Sequence, residues 1–153
     1  MNTFYEETYH TDSRDADPFH QCRPSALLGY LQEVSTGAAE AGCFTREQLL
    51  RDYNVFWMLA RIWYRLEKPV YWDKKLTVRT WHRGNQGMIM YRDYDLYMDG
   101  ALVGEAVSIW VLVDKDTRKL FRMANVAALQ NSGGGTLCKD KTLPKLRIPS
   151  DLP

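Results

Sequence analysis

The chain has 153 residues, 45% of them hydrophobic and 25% charged, which fits one globular domain with a real core. Its 20 Lys+Arg nearly balance 19 Asp+Glu, and a formal charge of +1 argues against nucleic acid as a partner. Cys22, Cys43 and Cys138 are odd in number without CxxC spacing, and no apolar run approaches the roughly 20 residues of a membrane span, so a disulfide framework, a zinc site and a membrane span are excluded and a reducing, cytoplasmic setting is expected.

Met1 to Thr8 contains acidic residues and no apolar stretch, so it is not read as a signal peptide. Phe4 to His10 alternates as a first strand, and a polar loop, TDSRDADPFHQCR, follows. Arg23 to Gly42 then carries a helix over Pro24–Ala41. Leu27, Leu28, Leu31, Val34, Ser35, Ala38 and Ala39 form one apolar-to-small stripe on it. Pro24 suits the first helical position, and Gly42 suits a left-handed residue closing the last turn. Gly29 and Gly37 each cost the helix roughly 1 kcal/mol against alanine, a cost that makes sense if something approaches it closely. Glu33 lies near the stripe's boundary: facing the sheet it would be a buried base, and otherwise it is a salt-bridged boundary residue.

Thr45-Arg-Glu-Gln48 has capping-box spacing and starts a short helix to about Arg51. Asn54 to Glu67 reads as a long strand, although its periodicity alone also admits a helix. Arg61 and Arg65 share a face of that strand, either to hold an anion or as its wet side. Lys75 to His82 alternates as a strand, and Gly84 to Gly87 supplies a turn with positive φ. Met88 to Met98 and Ala101 to Val113 flank Asp99-Gly100, the hairpin signal for a type I′ turn. A turn and a short strand, Lys119 to Met123, complete the pattern. Residues 124–153, with Asn131-Ser-Gly-Gly-Gly135 and Pro144, Pro149 and Pro153, read as a linker or tail whose deletion should be nearly neutral.

One slim helix and a run of antiparallel strands predict an α+β fold: a long central helix wrapped by a five- to six-stranded antiparallel sheet. Among five Trp and nine Tyr residues, Trp57, Trp63 and Trp110, with Leu28, Leu31 and Leu59, either line an apolar tunnel or are ordinary core. Lys115, Arg118, Lys119 and Arg122 crowd the last turn against Asp116, as a docking spot for an acidic partner or a solvated turn. No nucleotide, flavin or metal motif is present, so no cofactor is expected.

The strings SALLGYLQEVSTGAAEAG, NVFWMLARIWYRLEKPVYWDKKLTVRTW, GMIMYRDYDLY and SIWVLVDKDTRKLFRM resemble the N-terminal half of the acyl-ACP thioesterases of bacteria and plants, from about Tyr9 to Met123. The resemblance implies a hotdog domain over 1–123, with 124–153 leading toward a second hotdog not present in this chain. It implies acyl-ACP or acyl-CoA as substrate, and a second hotdog domain or a homodimer partner. It also places the family's catalytic Asp, Asn, His and Glu or Cys in the other half. Asp17 and His20 sit where single-hotdog thioesterases carry an Asp, one residue short of the two-domain family's spacing. They are either catalytic in a homodimer or solvated turn residues. Three readings follow: the acyl-binding half of a thioesterase, a complete one-domain thioesterase, or a non-catalytic acyl-binding module.

Overall fold

The computed structural model describes residues 4–42, 45–126, 129 and 138–151. Its elements are β1 (Tyr5–His10), α1 (Pro24–Ala41), α2 (Arg46–Tyr53), β2 (Val55–Leu66), β3 (Lys75–Gln86), β4 (Ile89–Met98), β5 (Ala101–Asp114) and β6 (Leu120–Phe121). The strands form one antiparallel sheet in the order β1-β3-β4-β5-β2, and β6 pairs with the end of β5. The sheet curls around α1, which contacts β1 and β3. This is the expected hotdog architecture. The run Asn131 to Gly135, Cys43 and Pro153 lie outside the described residues.

The helix buries Leu27, Leu31, Val34 and Ser35 of the expected stripe, and the three aliphatic side chains contribute about 1.5–3 kcal/mol each. They pack against Val78, Tyr94 and Leu96 of the sheet. Pro24 stands in the first turn as expected. Gly42 closes the helix at φ −88°, not left-handed, because its amide still bonds to Ala38 O. The left-handed cap belongs to α2, at Asn54 with φ 56°, and Thr45 and Gln48 form the capping box there.

The two helix glycines differ. A Cβ on Gly37 would come within 2.6 Å of Tyr5 Oη and 2.9 Å of its ring, so β1 approaches α1 through that gap. A Cβ on Gly29, which is exposed, would meet nothing within 4 Å. Gly29→Ala should therefore stabilise the chain by up to about 1 kcal/mol. Gly37→Ala should destabilise it by about 1–3 kcal/mol, since the intruding methyl displaces a ring. Urea unfolding of both variants checks this, and two shifts of the same sign would break the argument.

Asp99 and Gly100 have φ 50° and 76°, the type I′ pair their sequence predicts. The other glycine turn differs from expectation. β3 runs on to Gln86, Gly84 (φ 155°) marks a bulge after His82, and the reversal falls at Gly87 (φ 64°). A second bulge lies between Leu59 and Arg61 in β2. Before it the odd positions face inward; after it Ile62, Tyr64 and Leu66 do, opposite Ser108, Ala106 and Gly104.

Past the last strand, Met123, Val126 and Leu129 recur every third residue in a turn of 3₁₀ helix and are buried with Leu49, Val55 and Leu112. Residues 138–143 then lie along the outer face of the sheet. Leu143 packs on the cluster of Tyr91, Val107 and Ile109 beside Trp63, and Arg61 Nη1 donates to Leu143 O at 2.9 Å. Lys139 Nζ bridges Asp95 (2.7 Å) and Glu105 (3.1 Å). The expected near-neutral tail thus includes a strap bound to the sheet.

Candidate active-site region and acyl cavity

A cavity of about 490 Å³ opens between the second half of α1, α2 and the inner face of the sheet. Trp57, Trp110, Met90 and Leu129 give it apolar walls, while Glu40, Arg46 and Lys115 stand exposed at its rim. Such a volume suits a small ligand or an acyl chain.

The polar groups inside it fall into two kinds. Ser35 Oγ donates to Leu31 O at 2.7 Å, so it can only accept from Tyr94 OH, also at 2.7 Å. Tyr94 then accepts from Ser108 Oγ (2.7 Å), and Ser108 accepts from Trp110 Nε1 (2.8 Å). Every proton in this chain has an acceptor, so it is closed and structural. His82 Nε2 meets Asn85 Oδ1 at 2.9 Å, and Asn85 Nδ2 donates to Leu129 O, which puts the ring proton on Nε2. Arg92 is different. It is buried at 7% exposure, lines the cavity, and makes one hydrogen bond, Nη1 to Thr80 Oγ1 at 3.3 Å. Burial pulls its guanidinium below its usual value. The indole N–H of Trp57 is also buried without an acceptor.

Of the residues expected to line a tunnel, Trp57 and Trp110 do. Leu59 packs behind them, and Leu31 and Leu28 belong to the helix–sheet core. Trp63 does not join them: the bulge before Arg61 turns it to the outer face, under Lys141 Nζ at 4.4 Å. Arg61 is engaged by the strap, and Arg65 pairs with Glu67 (2.9 Å) and Glu105 (3.1 Å), so both arginines serve the outer face.

The loop before α1 does not assemble a catalytic pair. Asp17 Oδ1 accepts from the amides of Phe19 (2.8 Å) and Gln21 (3.0 Å), an Asx-type turn. His20 is exposed at φ 61° and stacks on Trp72, 5.7 Å between centroids. Among the described residues no side-chain bond joins the two. Glu33 is exposed and does not face the sheet. Burial, with Asp15 nearby, pushes the Cys22 thiol up to about 11, so it is protonated near neutrality and is no nucleophile there. No cluster of His, Cys, Asp or Glu with metal-holding geometry exists among the described residues. Nor is any described helix long and apolar enough to cross a membrane.

Lys115, Arg118, Lys119 and Arg122 are all exposed on the β5–β6 turn, which Asp114 holds by accepting from the amides of Asp116 (3.0 Å) and Thr117 (2.8 Å). Lys115 belongs both to this turn and to the cavity rim. Sequence reasoning missed Arg92. The signal was present in β4, where the inward row reads Met90, Arg92, Tyr94, Leu96: one charge in an otherwise apolar or hydrogen-bonded line.

The sequence profile of the acyl-ACP thioesterase N-terminal domain matches residues 2–128. Oleoyl-acyl carrier protein thioesterase 1, chloroplastic, of Arabidopsis thaliana is 23% identical over 128 residues, covering 79% of this chain and 35% of that protein. The oleoyl-acyl carrier protein thioesterase of Coriandrum sativum is 24% identical over 106 residues, 65% of this chain and 29% of its own length. An acyl-ACP thioesterase from Bacteroides thetaiotaomicron superposes with a TM-score of 0.82 at 21% identity, over 99% of this chain and 62% of that one. The 12:0-ACP thioesterase from Umbellularia californica gives 0.78 at 19%, over 99% and 62%. The chain spans about a third of the length of the curated relatives it matches.

Proposed function

The chain belongs to the acyl-ACP thioesterase N-terminal domain family, and from that premise we propose that it acts as the acyl-binding half of an acyl-ACP thioesterase, a hydrolase releasing free fatty acid from its carrier in fatty acid biosynthesis. The observation that carries this reading is the apolar cavity walled by Trp57, Trp110 and Met90 beneath α1. The acyl chain lies there, and the basic turn at its rim, Lys115, Arg118, Lys119 and Arg122, meets the acidic carrier protein. A second hotdog, on the same polypeptide or as a partner, supplies the nucleophile and base and covers the sheet edge left open at β2. The cytoplasmic setting expected from the cysteine pattern is part of the same proposal.

The separation of Asp17 from His20 supports placing catalysis elsewhere. The purified chain should hydrolyse a medium-chain acyl-ACP or acyl-CoA no faster than background, and Asp17→Asn and His20→Ala should leave that rate unchanged. Loss of a nucleophile or base removes several orders of magnitude of rate, so the outcomes separate cleanly. Turnover abolished by either variant would replace this reading with the one-domain homodimer. Acyl binding without turnover, followed by quenching of Trp57 and Trp110 fluorescence, is the expected result.

A further inference from the structure

Arg92 is the feature of the cavity that a hydrocarbon chain does not explain. The guanidinium has five N–H donors, and here one of them reaches a hydroxyl at 3.3 Å. That hydroxyl gives its own proton to Asp93 O (2.8 Å), so it adds no negative charge. The nearby Ser35, Tyr94 and Ser108 hydroxyls are committed to one another and to Leu31 O. Among the described residues no carboxylate pairs with Arg92. Asp93 points to the opposite face, and Glu40, the carboxylate on the cavity lining, is exposed at the rim and makes no ion pair with it. An unpaired buried charge is costly to keep unless something supplies its counter-charge. The indole N–H of Trp57, another wall residue, likewise lacks an acceptor.

We propose that Arg92 receives a carboxylate at the buried end of the bound acyl chain, so that the cavity selects ω-carboxyacyl thioesters over plain alkanoyl ones. Lys115 marks the rim and the basic turn, whereas Arg92 sits in the middle of β4 beneath α1. A chain entering from the rim therefore meets the guanidinium at its far end. The planar fork suits a carboxylate, which it binds with two parallel hydrogen bonds. This inference rests on the acyl-pocket reading above.

The test uses non-hydrolysable acyl-pantetheine amides of equal length, one ending in a methyl group and one in a carboxylate. Binding to the whole chain is titrated by tryptophan fluorescence and by calorimetry. The wild-type protein should bind the carboxylate-ended amide at least about tenfold more tightly, the scale of a hydrogen bond to a charged group. Arg92→Met should reverse the preference and Arg92→Lys should keep part of it. The wild-type comparison needs no variant, so a poorly folded Arg92→Met would not blunt the test. Preference of the wild-type protein for the methyl-ended amide overturns the inference while leaving the acyl pocket intact. An unchanged preference in folded Arg92→Met also overturns it. Binding of neither amide overturns both the inference and the pocket reading.

Discussion

Replacing Asp93 with alanine should lower the unfolding free energy by about 3–5 kcal/mol, the cost of breaking a buried ion pair by removing one partner. Asp93 is completely buried on the outer face of the sheet. Arg83 Nε reaches both of its oxygens at 3.0 Å, Arg83 Nη2 adds a third contact, and the Lys139 amide donates to Oδ2 at 2.9 Å. The substitution leaves a largely buried guanidinium and a backbone N–H without their acceptor. Arg83 keeps its place over the Tyr91 ring, 4.6 Å away, so the charge is not simply released to water. Urea unfolding followed by tryptophan fluorescence measures the loss, which for a chain of this size is a melting-point drop of roughly 10 °C. A cost under about 1 kcal/mol would mean that the pair behaves as a surface bridge.

The second large effect concerns the strap. Removing residues 138–153 should cost about 2–4 kcal/mol, where the linker reading expects close to nothing. Leu143 leaves the Tyr91, Val107 and Ile109 cluster, and Lys139 leaves Asp95 and Glu105. Arg61 and Arg83 lose the carbonyls of Leu143 and Lys141. Each hydrogen bond is worth about 1 kcal/mol net and the leucine somewhat more, offset by the freedom the segment regains. Because the Lys139 amide is one of the Asp93 partners, the deletion and Asp93→Ala should fall short of additivity. An additive pair, or a neutral deletion, would show that the strap is not held at Asp93.

These two results lie where the sequence was least legible. The helix was plain because Leu27, Leu31 and Val34 repeat on one face, and the β4–β5 hairpin was plain because only an Asp-Gly type of pair turns so tightly. Trp63 was misread because strict alternation carries through a strand only while every residue is paired, and the bulge before Arg61 resets the count. The strap was invisible because its bonds are to backbone atoms and to charges far along the chain, which leave no local period. Arg92 was overlooked for a related reason. Arginine in a strand ordinarily marks the wet face, and the register of β4 against Ser108 is what turns this one inward. Asp17 and His20 show the converse: residue types suited to catalysis stood close in sequence, yet the loop spends the carboxylate on its own amides.

The place of β1 in the sheet has a consequence for how the molecule assembles. The first strand to leave the ribosome pairs with β3, and Thr8 finds the Thr77 hydroxyl across 69 intervening positions. Closing a loop of that size carries an entropic cost before any contact repays it. The β4–β5 hairpin closes locally, so ordering spreads outward from that pair to β2 on one side and β3 on the other. The N-terminal strand waits as an extended arm until β3 exists, and only then does Tyr5 settle into the gap left by Gly37. Synthesis therefore begins with the segment that folds last.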